Sequence, residues 1–433
     1  MNNVYSITAK QLAALGQDNI PAELQSSAHM IYSSPATLAF NSPGAQGFGV
    51  KRAGLSIPGS VMLLAAPACC GRNTTLAGGK EGDSDKFFYM LMDETDIVTG
   101  RHLSKIPEAV KEVCEACEQP PSVVMICITC VDALLGTDME RVCRKASAFV
   151  GIPVLPCYMY ALTREGRLPP MAAVRKSIYS LLEPTPKKPT SVNLLGYFSP
   201  IDDECELYTM LKKAGVTQIR EISRCENFNE YMKMSEANFN LILNQEARYA
   251  AQDMADRLEI PGIELNRMYQ IDKIQTQYKL FGEAAGIKFD DQKYYDEALS
   301  AIEECYKKHS NRIFAVGEWV NADPFELSLA LIRYGFSVSD IYGTAGEINF
   351  AYIKKISDIS PETRIYSNLS PTMLYHSAEN SDADAFIGQD AAYYHSECPG
   401  IYWNEERQPF GYSGVKRLFT SLNTALSGGI INE

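Results

Sequence analysis

Short apolar, β-branched runs alternate with longer amphipathic stretches along the whole chain, and few folds accommodate that pattern. The short runs read as strands buried on both faces, and the stretches between them carry apolar residues at helical spacing. Repeated strand–helix units build parallel sheets covered by helices. The spacing predicts strands at 61–66, 87–92, 123–128 and 152–156, with helices at 107–118 and 131–150. A second series predicts strands at 192–197, 218–222, 239–243 and 262–264. A third begins at Arg312 and continues with strands at 338–342, 364–366, 385–387 and 401–403. Residues 1–50 carry few strand signals, and no strict repeat is visible. Residues 183–190 (EPTPKKPT) hold three prolines in eight positions and read as a linker. A chain of 433 residues suggests about three domains at ~150 residues each. The expected architecture is α/β, with three Rossmann-like α/β/α domains and mostly parallel sheets, spanning 1–186, 187–310 and 311–433.

Charge removes one class of function. Lys and Arg number 40 against 53 Asp and Glu, a formal charge of −13, and no basic block is present to track a phosphate backbone. No nucleic acid is expected as a partner. The longest apolar runs, 61–70 and 123–131, fall far short of the ~20 residues a membrane-spanning helix needs. The first fifteen residues show no basic region followed by an apolar stretch, so a cytoplasmic protein without membrane contact is expected. Disulfides are rare in that compartment. Twelve cysteines then require apolar packing, metal, iron–sulfur or redox chemistry.

Position sorts these cysteines. Ligands of open α/β sheets bind beyond the carboxyl ends of strands. Cys69 and Cys70 follow the strand at 61–66, Cys127 and Cys130 end the strand at 123–128, and Cys157 ends the strand at 152–156. If these strands share one sheet, five cysteines converge on one edge. Cys114 and Cys117 instead continue the stripe of Val110 and Val113, and Cys143 falls with Met139, Val142 and Ala146. These three read as core packing, as do the isolated Cys205, Cys225 and Cys305. Cys398 stands in a loop near His395 and stays open. The pairs Cys114/Cys117 and Cys127/Cys130 superficially match a four-thiolate zinc site. One pair lies on a helical stripe and the other straddles a strand, which argues against zinc. Gly79–Lys80 lacks the first Gly and the Ser/Thr of a P-loop, and Gly47–Gly49 lacks a third Gly and a preceding strand, so no nucleotide motif is complete.

Four stretches carry a resemblance. They are APACCG (66–71), MDETDIVTG (92–100), TCVDALLGTD (129–138) and PFGYSG (409–414). Together, in this order, they resemble the nitrogenase component-one superfamily, which includes the subunits of the molybdenum–iron protein, their assembly scaffolds and the tetrapyrrole reductases related to them. The resemblance implies an iron–sulfur cluster at a subunit interface, of 4Fe–4S type or larger, held by Cys70 and Cys130 with Cys69 as a third ligand. Cys127 is a poorer match. It also implies a homodimer or a heterodimer with a paralogous subunit, electron transfer from an ATP-dependent iron–sulfur reductase, and a small-molecule substrate.

The departures are specific. No Cys precedes Cys69, where the family usually has one, and Ser42 stands in the corresponding loop. The family's cofactor-ligating Cys aligns near Leu243–Asn244 and its His aligns with Phe410, neither of which offers a comparable metal ligand. The resemblance therefore implies a nitrogenase-like oxidoreductase performing a low-potential reduction of a tetrapyrrole or other small molecule, and not dinitrogen reduction. The alternatives are a non-catalytic scaffold for metallocluster assembly and a binding protein with purely structural cysteines. Candidate substrate residues are Asn244, Gln245, Glu246, Glu318, Trp319, His376, His395 and Cys398, each equally readable as a capping or solvated loop residue. Tyr-rich 391–395 could stack on a planar ligand or simply pack.

Overall fold

Every strand predicted from residue 61 onward is present in the computed structural model, which describes residues 3–25, 34–40, 49–68, 84–129, 135–158 and 168–428. The described strands are β1 (Ile7–Thr8), β2 (Ser60–Ala66), β3 (Phe87–Leu91), β4 (Val123–Ile128), β5 (Val154–Pro156), β6 (Lys188–Leu195), β7 (Gln218–Arg220), β8 (Ala237–Ile242), β9 (Gly262–Glu264), β10 (Ile313–Val316), β11 (Ser337–Tyr342), β12 (Arg364–Tyr366), β13 (Ala385–Ile387) and β14 (Gly400–Ile401). They form three sheets, in the orders β3-β2-β4-β5, β7-β6-β8-β9 and β1-β12-β11-β10-β13-β14. All pairs are parallel except β1 with β12. The chain divides into two compact units. One comprises Gly44–Phe198 and Val216–Asn266, with both four-stranded sheets; the other comprises Met1–Pro43, Ser199–Gly215 and Arg267–Glu433, with the six-stranded sheet.

The first unit explains its own apolar runs. β2 and β4 are buried along their whole length. Met62, Leu64, Ala66, Met125 and Cys127 face one core with Val174 and Ile178 of the helix Pro170–Tyr179. The alternate residues Val61, Leu63, Ala65, Val124, Ile126 and Ile128 face a second core with Ile106, Val110 and Val113 of the helix His102–Ala116. A strand covered on both sides has no polar face, so period-two alternation disappears from its sequence.

Three local expectations change. The helix predicted at 107–118 begins five residues earlier, at His102, and carries Pro107 inside; the buried stripe outweighs the proline's missing N–H donor. The helix predicted over 131–150 is interrupted. Gly136 takes φ +66, and the Asp138 carboxylate accepts from Arg141 N at 2.9 Å to start a new helix, Met139–Val150. The last three residues of the proline-rich stretch already belong to β6, exposed at the strand's start, where proline is tolerated. Near the N-terminus, Thr8 and Gln11 form a capping box on the helix Ala9–Leu15.

In the second unit the helix Gly411–Leu426 is anchored by one carboxylate. Glu206 is buried and accepts from Tyr412 N (2.7 Å), Ser413 N (3.1 Å) and the Tyr278 hydroxyl (2.7 Å). Its charge sits on the positive end of the helix dipole. Gly411 takes φ +64, and a Cβ there would collide with the Glu206 carboxylate. Two substitutions test this anchor: Gly411→Ala and Glu206→Ala each lower stability by about 1–3 kcal/mol, read as a reduced urea midpoint.

Candidate functional site

The first site is the carboxyl edge of the sheet β3-β2-β4-β5. β2 and β4 are neighbours, with Ala65 opposite Ile128. Ala68 and Thr129 are the last described residues on the two segments that leave this edge. Cys69, Cys70 and Cys130, and also Ser42, lie outside the described residues. The carbonyl of Ala66 accepts from the Tyr89 hydroxyl at 2.8 Å and from Met92 N at 3.0 Å, which ties the exit of β2 to that of β3.

Beyond β3, the MDETDIVTG stretch builds a cap. Asp93 and Asp96 form a capping box on the helix Glu94–Thr99. The Asp96 side chain is fully enclosed and accepts from Lys105 Nζ (2.7 Å) and Arg101 Nε (2.6 Å). Lys105 first, and then Arg101, hold its carboxyl well below the usual carboxylate range. The Asp96 carbonyl lies 3.0 Å from His102 Nδ1. His102 Nε2 and the Thr129 hydroxyl are buried without a hydrogen-bond partner among the described residues. Sequence reasoning missed His102, because the helix that it opens was expected to start five residues later.

The other cysteines separate from this edge or sink beneath it. Cys127 and Cys157 are each 1% exposed and belong to one apolar core. Burial, with the neighbouring Cys127 adding to it, pushes the Cys157 thiol well up. Cys143 is core, and Cys114 and Cys117 pack against that same core. Cys114 and Cys117 end the helix that leads back to the start of β4, the opposite edge from Thr129. Cys127 packs in the core on the other face of the sheet, away from Cys114 and Cys117.

The middle sheet's edge places the next candidates. Leu243 is 2% exposed. Asn244 caps a short helix by accepting from Glu246 N at 2.9 Å. Arg175 is buried and donates Nε and Nη2 to the Gly196 carbonyl (3.1 and 2.9 Å), while Glu246 pairs with its Nη1 at 2.6 Å. Burial lowers the Arg175 pKa, and Glu246 opposes that shift. Asn244 and Glu246 thus have structural duties, as a cap and as the partner of a buried cation.

The six-stranded sheet gathers the rest at its carboxyl edge. Asp390, after β13, accepts from Glu318 N (2.9 Å), Trp319 N (3.0 Å) and Asn368 Nδ2 (2.7 Å). The Glu318 carboxylate accepts from Thr344 N at 2.9 Å. Burial pushes both carboxyls up. Here four strand ends are laced together by two acids. Tyr342, the last residue of β11, sits between two imidazoles: its hydroxyl is 2.9 Å from Nε2 of His376 and of His395. It stacks on Tyr366 and Tyr394, so Tyr394 packs while Tyr393 is exposed. Cys398 donates to the Ala383 carbonyl at 3.7 Å, and burial raises its thiol. Phe410 is buried at the start of the last helix.

A tyrosine hydroxyl has one proton, so it donates to one ring, whose Nε2 carries no proton, and accepts from Nε2–H of the other. Burial pushes His376 down to about 4 and lowers His395. In the unfolded chain both titrate near ~6.5. The unfolded state therefore binds more protons between these values, and the stabilisation is complete above pH ~6.5 and lost as pH falls towards 4. The wild-type urea midpoint should drop between pH 7 and pH 5, and His376→Gln should show a smaller drop.

Comparison with known proteins agrees with this architecture. The nitrogenase component 1 type oxidoreductase family model matches residues 45–427. The nitrogenase iron-molybdenum cofactor biosynthesis protein NifE of Sinorhizobium fredii is 24% identical over 396 residues, covering 86% of this chain and 79% of that protein. The nitrogenase molybdenum-iron protein alpha chain of Methanosarcina barkeri is 25% identical over 219 residues, covering 48% of this chain and 41% of that one. A solved structure of nitrogenase Cp1 at pH 6.5 superposes with a TM-score of 0.65 at 16% identity, covering 99% of this chain and 94% of that chain. It shares the α/β fold with mostly parallel sheets. The chain belongs to the nitrogenase component 1 type oxidoreductase family.

Proposed function

We propose that this chain is an iron–sulfur oxidoreductase subunit that takes electrons from an ATP-dependent iron–sulfur reductase and delivers them to a small molecule in a low-potential reduction. Cys69, Cys70 and Cys130 would hold the cluster, which supplies the electron storage. The observation that carries this reading is the register of β2 and β4: neighbouring parallel strands send both cysteine-bearing segments off one edge. The chemistry around that edge fits such a group. Thiolates are the ligands iron–sulfur clusters use, and two buried polar atoms there, on Thr129 and His102, have no partner among the described residues. Leu91, Val98, Leu103 and Leu135 are exposed on the segments that follow β3 and β4 or end them. A dimer sharing the cluster would supply Cys70 and Cys130 from each chain, four thiolates, or six with Cys69. The family's cofactor-ligating Cys aligns near Leu243–Asn244 and its His with Phe410; Leu243 and Phe410 are buried apolar side chains, which supports a substrate other than dinitrogen, a tetrapyrrole or another small molecule.

A second reading is a scaffold on which a metallocluster is assembled. The NifE relatives favour it, because their named role is cofactor biosynthesis and the match covers most of their length. Turnover with a partner reductase, ATP and dithionite selects the enzyme; stoichiometric cluster transfer to an apo-protein selects the scaffold. Both readings share one test. Anaerobically purified protein contains iron and sulfide, and Cys70→Ser and Cys130→Ser each lose most of both. Full iron retention in both variants overturns the site.

A further inference from the structure

We propose that Tyr342 is a redox-active tyrosine. It gives one electron to a strong one-electron oxidant, a radical derived from oxygen, while its phenolic proton crosses to Nε2 of His395. Tyr394 and Tyr393 connect it to the surface. Every residue involved lies in the unit that holds the six-stranded sheet, so nothing here depends on the cluster cysteines. A phenol that loses an electron alone becomes a strongly acidic cation radical, and a buried site of low dielectric disfavours that charge. The step becomes accessible when a base within about 2.6–3.2 Å takes the proton in the same event. The Tyr342 hydroxyl has an imidazole on either hand, with Nε2 of His376 and of His395 each at 2.9 Å. Tyr342 itself is fully buried. Burial raises its phenol well above the ordinary range and lowers both imidazoles. At rest the proton therefore stays on oxygen, and the accepting nitrogen keeps its lone pair.

The two imidazoles have different roles. His376 Nδ1 is buried and has no hydrogen-bond partner among the described residues. If His376 took the proton, its ring would become an imidazolium with one N–H unpaired in the interior, and an unpaired buried donor costs most when it carries charge. His376 therefore donates Nε2–H to the phenol oxygen, and His395 accepts the phenolic proton. Tyr342 loses one electron to the oxidant and one proton to His395, which leaves a neutral phenoxyl radical beside an imidazolium. The phenoxyl oxygen then accepts from Nε2–H of both rings. A line of aromatic rings leads outward. Tyr342 stacks on Tyr394 with centroids 5.1 Å apart, Tyr394 meets Tyr393 edge-on at 5.3 Å, and Tyr393 is 42% exposed. When the radical moves along this line, an electron passes from Tyr393 to Tyr342. The His395 proton returns to the phenoxyl oxygen, and Tyr393 releases its own proton to water. A thiol or ascorbate in solution quenches the surface radical by giving back one electron and one proton.

The test uses the full chain grown on ¹⁵N-histidine. Flash-generated tris(bipyridine)ruthenium(III) serves as the one-electron oxidant, with a cobalt(III) ammine as sacrificial electron acceptor, and samples are frozen after the flash. Pulsed electron paramagnetic resonance is expected to show a neutral tyrosyl radical coupled to ¹⁵N. Tyr342→Phe, which keeps the ring and its stacking, should lose that coupled signal. In His395→Gln the radical should form ~10²-fold more slowly. Tyr393→Phe, a change at an exposed position, should prolong the coupled radical's lifetime in ascorbate. A wild type that yields no tyrosyl radical, or one without ¹⁵N coupling, overturns the proposal, and this arm needs no variant to fold. A coupled radical that survives in Tyr342→Phe, or that forms at the wild-type rate in His395→Gln, overturns it too. An unchanged lifetime in Tyr393→Phe overturns the route to the surface.

Discussion

Parallel pairing of β2 with β4 is the constraint on which the first unit depends. Both strands are sealed on two faces, one by the helix His102–Ala116, which lies between them in sequence, and the other by the helix Pro170–Tyr179, which follows β5. A one-residue slip would turn Met62, Leu64 and Cys127 to the other core and break both. The same register fixes where each chain segment leaves the sheet. Burial energy from side chains that take no part in chemistry thus sets the positions of the segments that do.

The second unit solves a different problem, that of holding several loops together at one strand edge. It uses a few enclosed polar atoms. Asp390 binds two backbone amides beyond β10 and an asparagine beyond β12, and Glu318 binds an amide beyond β11. Tyr342 joins two imidazoles across the same region. Buried acceptors that are fully paired specify one arrangement, because any alternative leaves a desolvated group without its donor.

The strands were legible because parallel sheets write themselves as apolar runs, and 123–128, 262–264, 364–366 and 385–387 fall at the observed bounds. Helix starts were less legible. Pro107 looked like a first-turn residue, yet the buried stripe carried the helix back to His102. The break at Gly136 was hidden because apolar positions recur on both sides of it. Of the candidate site residues, Asn244, Glu246, Glu318 and His395 proved to be caps, ion pairs or hydrogen-bonded core groups, while Glu206, Asp390 and Tyr342 gave no signal. Their partners lie tens to hundreds of residues away, and no local pattern encodes a long-range hydrogen bond.

The buried thiols have a consequence for handling the protein. Cys127, Cys143, Cys157 and Cys205 are nearly inaccessible, burial holds the thiols of Cys143, Cys157 and Cys205 well above their ordinary range, and Cys305 is pushed up to about 12. Thiolate, not thiol, reacts with alkylating agents and peroxides. The folded chain is therefore chemically quiet over much of its sulfur, and a maleimide or iodoacetamide applied under native conditions will leave these interior positions unmodified until the fold itself opens.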